Sequence, residues 1–442
     1  MKRNARVLGI AVATLGAVAC LLGIALAQPV ANEVVQWNET AMKAIEANGQ
    51  NPVQSTRTLA MVQGAVHDAL NAINRRYDAY YFEGPADAAA SPDAAVAAAA
   101  HTVLVGVVSS FGSPAQKGAA LALLEQAYAT SLSRVTDAPA RNKGVAVGRA
   151  AGAAMLTLRK DDGATKDAPY TPGMGPGKWR PHPNPVPPNP PIANPDAARG
   201  YLPSAVPGWG NVPPFTLLSA SQFWLPGPPT LTSPTYARDF NEVKNVGGKV
   251  STVRTADQTE IARFWFEGPG AWNTIARTVA VSRSLDARDS ARLLALMNMA
   301  MADAYIAGFK IRYVYDHWRP ITAIREGDND GNDATAGDPT WDSHQNTPSV
   351  SDYPSTQSTF SGAAAVVLAS VLGDQVKFTF TSGKPFDGIT RSFTSFSQAA
   401  RESADSRVYA GIHFRSACED GLVLGRKVGQ RAVAMYLQPV KK

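Results

Sequence analysis

Cysteine is almost absent. Only Cys20 and Cys418 occur, and Cys20 lies in a leader expected to be removed, so the rest of the chain cannot close an intramolecular disulfide. Stability has to come from packing. Charged residues are also sparse, at 18% against 45% hydrophobic, which suits a large packed core and excludes a disordered, charge-rich chain. The formal charge is +6, and Lys2, Arg3 and Arg6 supply three of those charges in the leader, leaving +3. So small an excess gives no basis for nucleic-acid binding. There is no HExxH, no phosphate loop and no dinucleotide fingerprint, which sets aside the chemistry those motifs carry.

The leader has three parts. Met1–Arg6 is basic, Val7–Leu26 is apolar, and Ala25-Leu26-Ala27 offers a small-residue cleavage site before Gln28. That order predicts a secretory signal peptide and an exported, periplasmic or secreted protein. An uncleaved anchor is the alternative, because the apolar run approaches spanning length; the small residues favour cleavage. A lipoprotein site at Cys20 lacks the usual leucine three residues earlier. No later segment is apolar enough for long enough to span a bilayer, so no membrane partner is expected once the leader is gone.

Beyond the leader, apolar spacing predicts helices. Leu59, Val62, Val66, Ala69 and Ile73 share one helix face, with Thr58 or Ser55 as cap. Pro92–Val107, capped by Ser91, and Gln116–Leu132 follow, separated by the break Gly112-Ser113-Pro114. From Lys166 to about Pro234 prolines crowd, including Pro181–Pro191, and exclude regular helix or central strand. Trp179, Tyr201, Leu202, Trp209, Phe215, Leu217, Leu218, Phe223 and Trp224 are interleaved with them. Such aromatics predict an ordered belt rather than a loose linker. Helices return at Ser251–Trp265, Asp286–Asp316 and Gly362–Leu372, whereas Arg325–Trp341 and Thr379–Arg391 read as loops. The expected organisation is a signal peptide over 1–27, a helical bundle over 28–165, a Pro-rich belt over 166–235 and a second bundle over 236–442. The fold class is all-α.

Three separated segments carry the chemistry. In the first, Arg312 and Arg319 stand seven residues apart, close to two helical turns, which predicts one shared face ending at Pro320. Two guanidiniums side by side call for an anion, and their forked donors match a tetrahedral oxyanion. In the second, Pro354-Ser355-Thr356-Gln357 opens an apolar helix whose N-terminal amides and dipole favour an anion. In the third, Arg407 and His413 add a further guanidinium and an imidazole that can attack phosphorus or ligate a metal. Taken singly, each has a plain reading: surface arginines, a capping serine, a core histidine. Their joint order changes the weight.

That order resembles the three-part signature of the vanadium-dependent haloperoxidase and type 2 phosphatidic acid phosphatase superfamily, Lys-x6-Arg-Pro, Pro-Ser-Gly-His and Ser-Arg-x5-His-x3-Asp. Here it reads Arg312-x6-Arg319-Pro320, Pro354-Ser355-Thr356-Gln357 and Ser406-Arg407-x5-His413. Val66-His67-Asp68-Ala69, Arg254–Thr259, Ala302-Asp303-Ala304, Trp318–Arg325 and Asp330-Gly331-Asn332 extend the likeness from about Glu33 to Tyr436. The resemblance implies two packed helical bundles with a vanadate or phosphate pocket in the second. Arg312, Arg319 and Arg407 then hold oxyanion oxygens with Ser355, Thr356 and Gln357 at the helix start. His413 ligates vanadium, or attacks phosphorus in a phosphatase.

The departures matter as much. Arg312 replaces lysine, keeping the charge in a bulkier, planar group. Thr356 replaces a glycine and is expected to crowd or re-angle the anion. Gln357 replaces the acid–base histidine, and an amide cannot deliver a proton near neutral pH. Ala417 replaces the aspartate that orients the ligating histidine, with Glu419 and Asp420 as off-register substitutes. His344 is the candidate replacement acid. His317 is expected to face away from the pocket, and His67 to be structural. Asp328–Asp333 looks like a calcium loop, although Gly337 stands where such a loop needs its glutamate. The resemblance thus implies an enzyme using vanadate, hydrogen peroxide, halide and an organic acceptor. A phosphatase acting on a phosphate ester and a binding protein that holds an oxyanion without turnover are the alternatives.

Overall fold

Short polar caps followed by proline set many of the helix starts. Asn51, Ser91, Ser113 and Ser233 each accept a hydrogen bond from a first-turn N–H, with Pro52, Pro92, Pro114 and Pro234 beginning the helices. The computed structural model describes residues 31–84, 87–166, 168–182, 206–383 and 385–440. The leader, Tyr201, Leu202 and most of Pro181–Pro191 lie outside the described residues. The helices run α1 (Glu33–Asn48), α2 (Pro52–Ile73), α3 (Pro92–Val108), α4 (Pro114–Ser133), α5 (Ala138–Leu158), α6 (Pro234–Val246), α7 (Ala256–Phe264), α8 (Pro269–Ser282), α9 (Ala287–Tyr315), α10 (Pro320–Arg325), α11 (Thr356–Leu372), α12 (Phe396–Tyr409) and α13 (Arg415–Met435). Among the described residues the fold is all-α apart from one hairpin. Among the described residues no helix is long and apolar enough to cross a membrane.

Several boundaries differ from the sequence reading. Asn51, not Ser55 or Thr58, caps α2, because Asn51 and Gln54 form a reciprocal capping box. Residues 251–255 precede α7 as a turn, since Thr255 and Gln258 make the same device four residues later than expected. The segment expected as a loop over Thr379–Arg391 contains β1 (Phe378–Thr381) and β2 (Thr390–Phe393), antiparallel with Phe378 opposite Phe393. Phe378 and Phe380 alternate inward and meet the rings of Phe264, Phe393 and Phe396. That burial outweighs the turn-forming residues around it.

Helix α9 is the axis of the molecule. It is buried along most of its length and packs against both α2 and α11. The belt is fastened to it through Asp303. This fully buried carboxylate accepts from the amides of Phe215 (2.6 Å), Thr216 (2.6 Å) and Leu217 (3.1 Å) and from the Thr216 hydroxyl. Burial pushes the Asp303 carboxyl up to about 6, while those donors pull it back. Trp179, Trp209, Phe215 and Leu217 are the buried side chains of the belt, whereas Leu218 and Trp224 are exposed. Asp68 plays the same part in the first bundle, accepting from the amides of Tyr80, Tyr81 and Phe82.

Helices α11 and α13 cross at near backbone contact along Gly421, Gly425 and Gly429. A Cβ on Gly425 would stand 2.0 Å from the Thr359 carbonyl oxygen. Gly425→Ala is therefore expected to cost about 1–3 kcal/mol through forced separation of the helices. Gly118→Ala meets nothing within 4 Å and is expected to be neutral or to gain up to about 1 kcal/mol. Urea denaturation of the two variants checks this, and equal losses would contradict the close-crossing account.

Candidate oxyanion site

Asp316 ends α9 by adopting a left-handed conformation, with φ of 52°. This corrects the expectation that Arg312 and Arg319 share one helix face. Arg312 lies in the last turn of α9, but Arg319 is the N-cap residue of α10, and Pro320 opens that helix instead of closing the previous one. The turn between them is tied to the belt, where Trp179 N donates to Asp316 O (2.8 Å) and Trp318 N to Gly177 O (3.1 Å).

The two arginines converge all the same. Arg312 Nη2 donates to Pro354 O (2.7 Å), and Arg319 donates from Nε to Val350 O (2.6 Å) and from Nη1 to Ile412 O (2.6 Å) and His413 Nε2 (2.9 Å). Arg407, in the last turn of α12, completes the group. All three are buried, yet Arg312 Nε, Arg319 Nη2, and Arg407 Nε and Nη1 have no hydrogen-bond partner in the protein. Burial lowers Arg312 and Arg407 to about 10, and it lowers Arg319 well below its ordinary value, with Arg312 and Arg407 pushing the same way. Burial first, then the three guanidiniums, push His413 well below the usual histidine range, so its ring is neutral. The donors and the neutral nitrogen fit a tetrahedral oxyanion held by nitrogen ligation.

The arginines and His413 border a cavity of about 290 Å³. Its other walls include Pro52 and Val53 from the start of α2, Phe266, Phe309, Pro348 and Val350. The start of α2 thus closes one side of a site built mainly by α9 and the segments that follow it. A larger cavity of about 620 Å³ beside Tyr170 and Trp209 contains no comparable cluster.

The Pro-Ser-Thr-Gln segment behaves unevenly. Ser355 caps α11: its hydroxyl oxygen accepts from Ser358 N (3.4 Å) and from Ser358 Oγ (3.0 Å), and it does not reach the cavity wall. Thr356 does reach it. Its methyl lies over Gly308, where a Cβ would come within 2.9 Å, so α9 makes room for part of the bulk that sequence reasoning expected to crowd the anion. Gln357 also lines the cavity, but its Nε2 donates to Trp265 O at 2.6 Å.

Asp352 was not foreseen. Its Oδ1 stands 2.8 Å from His413 Nδ1, without making an ordinary hydrogen bond to it, and 3.8 Å from Arg319 Nη1. Burial pushes its carboxyl up to about 7 against the pull of Arg319 and Arg312. The off-register substitutes are engaged elsewhere: Asp420 accepts from Tyr353 OH (2.5 Å), and Glu419 is exposed. The only sequence signal for Asp352 was its place two residues before Pro354.

The remaining expectations divide. His344 is outside the cavity: Arg254 Nη2 lies 3.2 Å from its Nδ1, and burial and that charge lower it to about 4. It cannot replace the missing acid there. His317 also faces away, packed against Tyr236 and Phe414. His67 is buried with Nδ1 3.2 Å from Asp68 Oδ1, in the first bundle. The acidic loop does not gather ligands for calcium. Asp328 accepts from Gly337 N and Asp330 from Thr335 and Asn332, and no cluster of metal-binding side chains occurs among the described residues.

Two family profiles match, the vanadium chloroperoxidase N-terminal domain over residues 30–203 and the VCPO second helical-bundle domain over residues 292–442. The chain belongs to the vanadium haloperoxidase superfamily. It is 26% identical to the vanadium chloroperoxidase of Curvularia inaequalis over a match covering 37% of this chain and 37% of that protein. The structure superposes on the first bacterial vanadium-dependent iodoperoxidase with a TM-score of 0.75 and 25% identity, covering 92% of this chain and 97% of that one. A holo-type bacterial vanadium-dependent chloroperoxidase shares the fold, with a TM-score of 0.69, 18% identity, and coverage of 92% and 95%.

His317 provides a pH test. Burial lowers its imidazole to about 3, so between pH 6.5 and that value the unfolded chain binds the extra proton. Stability is present above the unfolded value and is lost as pH falls. Relative to neutral pH, the wild type is expected to lose about 2 kcal/mol more at pH 5 than His317→Phe does. Urea titrations at the two pH values measure this, and parallel losses would contradict it.

Proposed function

We propose that the chain is an exported, vanadium-dependent haloperoxidase-like enzyme. The observation that carries this reading is the set of unpartnered guanidinium N–H groups around His413, whose Nε2 lies 2.9 Å from Arg319 Nη1. Arg312, Arg319 and Arg407 would hold the oxygens of vanadate, and His413 Nε2 would ligate the metal. The amides and dipole at the start of α11, with Thr356 and Gln357 on the wall and Ser355 bracing the first turn, would favour its negative charge. Bound vanadate supplies a Lewis-acidic centre that activates hydrogen peroxide toward halide, whose oxidised product reacts with an organic acceptor or water. The relatives named for iodide and chloride oxidation support the class of reaction, and the leader supports export.

Gln357 sets the limit. It can hold a hydrogen bond but cannot exchange a proton with the reacting oxygen. Phosphoester cleavage, which must protonate a poor leaving group, loses more from this change than peroxide chemistry does. The anchoring of Gln357 on the Trp265 carbonyl favours one second reading, an oxyanion-binding protein without turnover.

Bromide oxidation with hydrogen peroxide, with and without orthovanadate, separates the readings. Vanadate-dependent turnover is expected, with complete loss in His413→Ala. A gain on the order of 10²-fold is expected in Gln357→His, the lower end for a restored general acid–base group. Binding of vanadate with no turnover in the wild type would overturn the enzyme reading and leave the binding protein.

A further inference from the structure

We infer that Asp352 is the positioning residue for His413, doing from 61 positions upstream what Ala417 leaves undone. Both side chains are buried, at 0% and 3% exposure. Neither His413 Nδ1 nor either Asp352 carboxylate oxygen makes an ordinary hydrogen bond elsewhere in the protein, and Oδ1 approaches Nδ1 to 2.8 Å, closer than the 3.8 Å that separates it from Arg319 Nη1. The backbone of Asp352 is fixed on both sides: its amide donates to His317 O (2.8 Å), and its carbonyl accepts from Arg312 Nη2 (3.4 Å).

The other end of the ring fixes the tautomer. Arg319 Nη1 lies 2.9 Å from Nε2, and a guanidinium only donates. Nε2 therefore accepts, and the single proton of the neutral ring sits on Nδ1, the atom facing Asp352. In its ionised form Asp352 can only accept there, and so keeps the Nε2 lone pair pointed into the arginine cluster, the form a metal or anion centre requires. The main-chain carbonyl of Asp352 also favours a proton on this ring, so the side chain and the backbone have to be separated by experiment.

Imidazole nitrogen NMR on the full chain, labelled at histidine and with His413 identified through His413→Ala, reads the tautomer directly. The wild type is expected in the Nδ1–H form. Asp352→Asn, which can donate to Nδ1, is expected to shift His413 toward the Nε2–H form and to weaken orthovanadate binding about 10- to 100-fold. Asp352→Glu is expected to restore part of both. An Nε2–H tautomer in the wild type, or an unchanged tautomer and affinity in Asp352→Asn, would overturn the assignment. Only its functional consequence rests on the proposed vanadate site. The tautomer decides it in the free protein even if vanadate fails to bind, and the wild-type spectrum decides it if Asp352→Asn does not fold.

Discussion

Three guanidiniums buried around one carboxylate are the constraint on which this fold turns. Moving a charge out of water costs several kcal/mol even after the protein relaxes, and Asp352 balances at most one of Arg312, Arg319 and Arg407. The protein answers with carbonyls. Pro354, Val350 and Ile412 each turn a main-chain oxygen toward the cluster, and the irregular stretch over 341–355 that carries the first two is largely buried. Those carbonyls satisfy only part of the donor set. The donors left over define a place for an oxyanion, and the anion would complete the charge balance that folding leaves open.

The cluster also explains the placement of helix ends. Arg312 and Arg407 lie in last turns, Arg319 caps α10, and His413 comes two residues before α13. Side chains at helix ends can reach one point from several directions, and the rigid helices behind them hold that point fixed. Gly425 allows α11 to sit against α13, Gly308 receives the methyl of Thr356, and Asp303 fastens the belt to α9. A change at any of these would move the site without touching it.

Much of this was legible in the sequence. The starts of α9 and α3 follow from Asp286 and Ser91, because short-range capping decides them. Arg312 and Arg319 were paired correctly for an incorrect reason: the chain leaves the helix at Asp316, and tertiary contacts bring Arg319 back. The hairpin was missed because Gly383, Asp387 and Gly388 outweighed a short Phe-Thr alternation. Asp352 was missed because its partner is 61 residues away, and helix spacing says nothing about a contact between a loop and another helix's approach. The loss at Ala417 was visible in the chain; its replacement required the fold.

The most direct test of the central claim is calorimetric titration of the full chain with orthovanadate, compared with Arg407→Ala. If buried, underpaired guanidiniums define the site, one anion binds per chain, and removing Arg407, which leaves two of its nitrogens without protein partners, weakens binding by at least about 30-fold, the lower end for losing a buried charge partner. Absence of saturable binding, or equal affinity in the two proteins, would contradict the account.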